Sequence, residues 1–156
     1  MSLASVQEYF AKLNMADQII VLEESSATVA LAAQALQTQP AQIAKSLSFK
    51  KKASVEAILV VAAGDTKIDN QKYKEFFQEK ALMLKAEEVD EKIGHPVGGV
   101  CPFAVNEDVA VYLDDSLKRF DFVYPACGSG NSAIKLTIPE LETYSNFRQW
   151  IDVCKY

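Results

Sequence analysis

The chain has 156 residues, 49% of them hydrophobic and 24% charged, which excludes a disordered polypeptide and predicts a single globular domain over residues 1–156. Its net charge of -5 at pH 7 argues against a protein that binds duplex DNA along the phosphate backbone, because such proteins carry extensive basic surfaces. The sequence contains no apolar run near the roughly 20 residues of a membrane-spanning helix. It also lacks the basic start and apolar stretch of a signal peptide, so we expect a cytoplasmic protein with no membrane partner.

The first half of the chain predicts both helices and strands. Apolar residues recur at helical spacing near the N-terminus, and an alanine-rich stretch follows a short β-branched run. Pro40 is typical of the first position of a helix, and the helix that it opens would place Lys45 near its end. In chain order we predict helix 5–14 capped by Ser5, strand 19–24, helix 27–37, helix 40–47 and hairpin strands 47–52 and 55–64. The second strand of the hairpin is apolar enough to be buried on both faces.

The second half continues the mixed pattern and ends in a helix. Asp69 and Asn70 are good N-terminal caps, and Gly94 has the backbone freedom that the residue after a helix often needs. We predict helix 69–79, strand 81–86, helix 87–94, strands 109–113, 122–127 and 133–138, and a last helix that opens at Pro139. This mixture predicts an α+β fold, with a mixed and curved β-sheet flanked by helices.

The cysteines give no sign of a disulfide framework or of a metal site. Cys101, Cys127 and Cys154 are an odd number at wide spacing, without a C-x-x-C pair. A structural zinc site takes four Cys or His ligands, and the chain has a single histidine, His95. We therefore expect free thiols, no metal and no cofactor.

A small basic cluster stands out against the acidic composition. Lys45, Lys50, Lys51 and Lys52 fall within eight consecutive positions. Such a cluster forms a local electropositive spot on an acidic protein, or it lies on a solvated turn with no binding role. The sequence leaves both interpretations open.

Two glycine-rich segments concentrate the rarer residues of the chain. The segment KIGHPVGGVCPF, residues 92–103, holds the only histidine and three of the six glycines. Glycines and prolines together allow a pre-shaped loop to approach a ligand with bare backbone. The segment ACGSGNS, residues 126–132, adds hydroxyl and amide side chains to the same kind of loop. Either segment alone could simply reverse the chain, but two of them in one small domain favour a binding site.

Three motifs follow one another along the chain: AKSLSFK at residues 44–50, GHPVGGVCPF at 94–103 and YPACGSGNSAIKLT at 124–137. In this order and at these separations they resemble the YbaK/prolyl-tRNA synthetase-associated editing domain family, over nearly the whole chain. The resemblance implies a partly barrel-like mixed sheet. It also implies hydrolysis of amino acids wrongly attached to tRNA, either in trans or as an inserted domain of prolyl-tRNA synthetase. The implied partners are the acceptor end of a mischarged tRNA and an aminoacyl-tRNA synthetase.

The resemblance further implies roles for individual residues. Lys45 is the essential catalytic lysine, which orients the ribose-phosphate end of the substrate while a ribose hydroxyl helps to activate the nucleophile. A pocket closed by Val100, Cys101 and Pro102 should accept a small amino acid and exclude aromatic ones on size. The substrate-binding set is Gly98, Gly99, Val100, Cys101, Pro102, Gly128, Ser129, Gly130 and Asn131, with His95 beside them. If the bare backbone of Gly99 faces the ligand, Gly99→Ala should damage turnover more than stability.

Two other functions remain open from the residues alone. A protein of the same fold could bind a nucleotide, a tRNA or a synthetase without catalysis, and such a module would tolerate the loss of Lys45. Alternatively, Cys101 could be a nucleophile with His95, six residues away, as its partner, which predicts sensitivity to alkylation. The commoner use of such a cysteine is as a small buried hydrophobe, so we favour a place for it in the pocket wall.

Overall fold

The structure is a computed structural model that describes residues 2–52, 54 and 56–156. Its helices are short, and among the described residues none is both long and apolar enough to cross a membrane. The α-helices are α1 (Ser2–Ala11), α2 (Val29–Leu36), α3 (Asn70–Phe77), α4 (Ala86–Ile93) and α5 (Ile138–Ser145). Short 3-10 helices lie at Ala16–Gln18, Pro40–Gln42 and Asp115–Arg119.

The strands form one large sheet and two small ones. They are β1 (Ile19–Val21), β2 (Ile43–Lys50), β3 (Ala57–Ala63), β4 (Lys67–Ile68), β5 (Val109–Asp114), β6 (Phe122–Pro125), β7 (Ser132–Ile134), β8 (Leu136–Thr137), β9 (Trp150–Ile151) and β10 (Cys154–Lys155). The large sheet has the order β8-β6-β2-β3-β5-β9, and the pairs β1-β7 and β4-β10 stand outside it. β2 and β3 form the predicted antiparallel hairpin, whereas β2-β6, β3-β5 and β5-β9 are parallel. The predicted α+β fold on a mixed, partly barrel-like sheet is confirmed.

β3 lies in the middle of the large sheet and is buried along its whole length, as its sequence predicts. Its side chains alternate between two cores, because successive residues of a strand point to opposite faces. One core contains Leu59 and Val61 together with Phe10 of α1, and the other contains Val60 and Tyr73 of α3. Val55, the first residue of the predicted strand, lies outside the described residues.

Lys45 lies in a strand and not at the end of a helix. The predicted helix 40–47 is wrong, because Pro40–Gln42 form only a 3-10 turn and β2 begins at Ile43. The proline does open a helical turn, but β2 then pairs with β3 on one edge and with β6 on the other. These backbone hydrogen bonds outweigh the local preference for a helix. In the register of β2 and β3, Lys45 lies opposite Ala62.

The predicted helix ends are correct at two of the three positions where a cap was expected. The Asp69 carboxylate accepts hydrogen bonds from the Gln71 and Lys72 amides at 3.0 and 3.1 Å and so caps α3. Gly94 ends α4 with a φ of +102°, a conformation that favours glycine. The expected cap at Ser5 is wrong, because α1 already begins at Ser2.

The predicted strands differ from the structure where a segment pairs over only one or two residues. The predicted strand 81–86 is reduced to one bridge between Met83 and Phe49 of β2. Strands β4, β9 and β10 have two residues each, too few for a periodic pattern to predict them. Their positions are set by partners that are distant in the sequence.

Candidate functional site

The candidate site lies where β2 loses its neighbour in the sheet. β6 pairs with β2 only at the first two residues of the strand. At the other end of β2, the segment 82–84 forms backbone hydrogen bonds with the strand instead. The Lys50 amide donates to the Leu82 carbonyl at 2.8 Å, and the Leu84 amide donates to the Ser48 carbonyl at 3.1 Å. Between these two partners the edge of β2 borders a cavity of about 340 Å³, within the size range of ligand sites.

The residues that line the cavity are largely apolar, several of them are small, and a few carry hydroxyl groups. Because the side chains of β2 alternate, the lining takes Ala44, Ser46 and Ser48 from one face of the strand and Ile43 and Lys45 from the other. The smallest lining residues are Ala27, Ala32, Ala44, Ala86, Gly98, Ala126 and Ala133.

Ser46, which lines this cavity, has an unsatisfied hydroxyl. Its Oγ is buried and has no hydrogen-bond partner among the described residues. A buried hydroxyl without a partner costs free energy, and a ligand that supplies a donor or acceptor removes that cost. Ser46 is therefore the lining residue that most directly indicates a polar ligand group.

Lys45 has a half-buried side chain whose terminal ammonium is hydrogen-bonded. Its ammonium donates a hydrogen bond to the Thr66 carbonyl, in the turn after β3. Burial lowers the pKa of Lys45, and the nearby Cys154 and Asp65 act in the opposite direction. An ammonium has three N–H donors, so the bond to Thr66 leaves two for a substrate.

The two glycine-rich segments meet, as expected for parts of one site. A Cβ atom at Gly99 would lie 2.5 Å from the Ser129 amide nitrogen and 2.6 Å from the Gly128 carbonyl carbon. The second segment is in turn tied to the chain before α2, since the Gly130 carbonyl accepts from the Ser26 amide at 2.7 Å. The close approach that requires glycine at position 99 is therefore to the other loop. We therefore expect Gly99→Ala to lower the stability of the protein more than its turnover, the reverse of the expectation from the sequence.

Three of the site residues implied by the resemblance line the cavity: Lys45, Gly98 and Val100. The second glycine-rich segment reaches the cavity through Ala126, Ser132 and Ala133. The other implied residues lie outside the lining of this cavity, and they are His95, Gly99, Cys101, Pro102, Gly128, Ser129, Gly130 and Asn131.

His95 and Cys101 are neighbours, but both are fully buried. The Cys101 Sγ lies 3.5 Å from the His95 Nε2, and that Nε2 lies 2.6 Å from the Phe103 carbonyl oxygen. Burial lowers the pKa of His95, so the ring is neutral, and a carbonyl only accepts, so Nε2 carries the proton. That nitrogen cannot also take the proton of the thiol. The pair therefore packs the loop and lacks the arrangement of a cysteine hydrolase.

We expect the thiols of the folded protein to react with a reagent such as DTNB far more slowly than those of the unfolded chain. Burial raises the pKa of Cys101 and of Cys154 to about 12, so about one thiol in ten thousand is ionised near pH 8. Burial also raises the pKa of Cys127. All three thiols should react promptly in guanidinium chloride. One fast thiol in the folded protein, mapped to Cys101 by mass spectrometry, would instead support the cysteine hydrolase.

Two of the four lysines of the basic cluster are paired with carboxylates. Lys50 Nζ lies 3.0 Å from the Glu88 Oε1, and Lys51 Nζ lies 3.7 Å from the Glu56 Oε2. These pairs reduce any electropositive spot. No group of three or more His, Cys, Asp or Glu side chains in the described ranges is placed to hold a metal ion.

Sequence reasoning missed the parts of the wall that come from α2 and from the chain around α4. Val29, Ala32 and Leu36 of α2 line the cavity, as do Met83 and Val89. Aliphatic residues at helical spacing are the ordinary signal of core packing, so no chemical pattern identified them. Ser46 and Ser48 belong to a quoted motif, and a strand assignment there would have revealed their alternation with Lys45.

Known proteins resemble this chain over most of its length. Residues 23–144 match the family described as the aminoacyl-tRNA editing domain. The fold matches the crystal structure of a candidate trans-editing enzyme for prolyl-tRNA synthetase with a TM-score of 0.87 and 27% sequence identity, over 99% of this chain and 98% of that one.

Two relatives are similar to the chain in sequence. It is 52% identical over 155 residues to the uncharacterized protein YwhH of Bacillus subtilis, covering 99% of this chain and 98% of YwhH. It is 32% identical over 92 residues to the proline-tRNA ligase of Kosmotoga olearia, a match that covers 58% of this chain and 16% of the ligase. Because the family match spans most of the sequence, the chain belongs to the aminoacyl-tRNA editing domain family.

Proposed function

We propose that the protein is a deacylase that acts in trans in the cytoplasm and hydrolyses the ester of a mischarged tRNA carrying a small amino acid. The proposal is carried by one observation: Lys45 and Ser46, whose buried hydroxyl is unpartnered, line the same cavity of ligand size. Family membership supports the editing reaction. The protein partner that we propose is an aminoacyl-tRNA synthetase, because relatives include a proline-tRNA ligase and a candidate editing enzyme for that synthetase.

The chemistry that we propose needs no cofactor. The oxygen of a water molecule attacks the ester carbonyl carbon, the bond between that carbon and the ribose oxygen breaks, and the ribose oxygen takes up a proton. The products are a free amino acid and a tRNA with both terminal hydroxyls. The neighbouring ribose hydroxyl helps to activate the water. Lys45 uses its remaining N–H donors to orient the ribose-phosphate end, and such orientation can supply a large part of a rate enhancement.

The preferred amino acid follows from the residues that line the cavity. Ala44, Gly98, Ala126 and Ala133 leave room beside β2. The Ser46 hydroxyl offers a hydrogen bond to a polar group of the substrate. This hydroxyl favours a small polar side chain over an aromatic one, since an aromatic ring would leave the hydroxyl without a partner.

The proposal predicts that the protein deacylates tRNAs carrying alanine, serine or threonine at least about tenfold faster than tRNA carrying phenylalanine, a ratio in the range that pocket size can give. The measurement is single-turnover hydrolysis of a panel of mischarged tRNAs by the purified protein. Preference for the phenylalanyl ester, or no hydrolysis of any ester with and without added synthetase, would contradict it.

Ser46→Ala is the matched variant for the same panel. The hydroxyl has no partner to lose in the empty protein, so the thermal midpoint should stay unchanged or rise slightly. Hydrolysis of the preferred ester should fall roughly threefold to tenfold, the worth of one neutral hydrogen bond. An unchanged rate would mean that this hydroxyl does not contact the substrate.

A further inference from the structure

The turn that holds the Lys45 ammonium is itself rigidly fixed. Thr66 is 4% exposed, and its hydroxyl donates to the Ala63 carbonyl at 2.7 Å. The Thr66 amide donates to the same carbonyl at 3.1 Å. With its hydroxyl and amide both engaged, Thr66 has little freedom, so the direction of its own carbonyl is set by the turn.

An ion pair ties this turn to the helix after β5. Arg119 Nη1 and Nη2 lie 3.0 and 2.6 Å from the two carboxylate oxygens of Asp65, the residue before Thr66. The Arg119 Nε also donates to the Ser116 carbonyl at 2.9 Å. The guanidinium lies over the Tyr156 ring, 4.6 Å from its centre. Bidentate geometry of this kind fixes position as well as charge.

The end of the chain holds the other side of the turn. β10 pairs with β4, directly after Thr66, with Cys154 opposite Ile68. The Val153 carbonyl accepts from the Asp69 amide at 2.8 Å, and the Val153 amide donates to a carboxylate oxygen of Asp114 at 2.9 Å. Cys154 also lies close enough to Lys45 to influence it electrostatically. The segment from residue 150 onward lies outside the part of the chain that the family match covers.

We infer that the Arg119–Asp65 ion pair and strand β10 are a positioning device that fixes Thr66 and, through its carbonyl, the ammonium of Lys45, a residue that lines the cavity. The inference rests on the proposed function, because it assigns these residues to the lysine of that reaction. None of them lines the cavity, so we assign them as positioning residues. Asp65 has a second effect: its charge raises the pKa of Lys45 against the effect of burial.

The first test is the kinetics of Arg119→Gln against a matched control. We expect kcat for the fastest ester of the wild type to fall about tenfold with little change in KM, because the lysine is displaced while the cavity stays intact. Arg119→Lys keeps the charge but loses the bidentate geometry of the guanidinium, so its kcat should lie between those of the wild type and Arg119→Gln. Arg148→Gln breaks the Arg148–Glu56 pair, of 3.2 Å and similar exposure, and should leave kcat unchanged. Equal behaviour of Arg119→Gln and Arg148→Gln would overturn the inference.

The second test does not depend on activity. The pKa of Lys45 is measured from the titration of its Cε resonance by NMR in the wild type and in Asp65→Asn. Removing the carboxylate should lower the pKa of Lys45, and the alkaline limb of the rate should move to lower pH by the same amount. An unmoved Lys45 titration would overturn the inference. If the wild type hydrolyses no ester but Lys45 still responds to Asp65→Asn, the proposed function fails and the positioning device stands.

Discussion

Lys45→Ala is expected to lower the deacylation rate by about a hundredfold or more in a protein that stays folded. The loss follows from the ammonium, since misplacing a substrate by a small distance costs about this much. The fold should survive because β2 pairs with β3 and β6 through its backbone, and the side chain contributes one hydrogen bond, to Thr66. Circular dichroism and the thermal midpoint, measured beside single-turnover rates, check both halves of the expectation.

The matched control for this variant is Lys50→Ala. Lys50 lies on the same strand and forms an ion pair with Glu88, but it does not line the cavity, so its loss should leave the rate near that of the wild type. Lys45→Arg tests whether charge alone suffices. A folded Lys45→Ala protein with near-normal hydrolysis would remove this residue from the proposed mechanism. If wild type and variant both bind tRNA without hydrolysing it, the non-catalytic binding module becomes the better description.

Gly99→Ala is expected to destabilise the protein by about 1–3 kcal/mol, the usual cost of forcing extra atoms into a packed contact. The added methyl group would meet the backbone of Ser129 at 2.5 Å, and backbone cannot rotate away as a side chain can. In a chain of this size the thermal midpoint should fall by roughly 2–4 °C for each kcal/mol. Denaturant unfolding and thermal unfolding measure the effect.

The control for this change lies in the opposite loop. A Cβ atom at Gly130 would meet only the Ala27 side chain, at an ordinary van der Waals distance of 3.6 Å. Gly130→Ala should therefore leave the thermal midpoint close to that of the wild type. If Gly99→Ala is as stable as Gly130→Ala but turns over poorly, the glycine faces the ligand, as the sequence first indicated.

Local signals in the sequence predicted the elements well and failed where distant pairing decides. The 3-10 turn at Pro40 is real, yet the residues after it join β2 because β3 and β6 offer backbone partners from elsewhere in the chain. No window of sequence contains those partners. The same limit hid β10, which pairs with a two-residue strand more than 80 positions before it.

The candidate site was predictable as a set of segments but not as a surface. The two glycine-rich segments do meet, and Lys45 does reach the cavity between β2 and its neighbours. Which glycine faces the cavity and which faces the other loop depends on packing, which no motif encodes. Likewise, the spacing of His95 and Cys101 is compatible with a catalytic pair, and only their burial beside the Phe103 carbonyl shows that they pack the loop.

The gap in the pairing of β2 has a consequence for how the protein behaves at high concentration. An unpaired strand edge is a template on which a strand of another molecule can add, and long exposed edges promote aggregation. Here β6 covers the edge up to Ala44 and the segment 82–84 covers it from Ser48, so only three residues are left uncovered. That length is enough for the few polar atoms of a small ligand and too short to nucleate a strand. The protein thus keeps an open edge for recognition without the colloidal instability that a longer opening would bring.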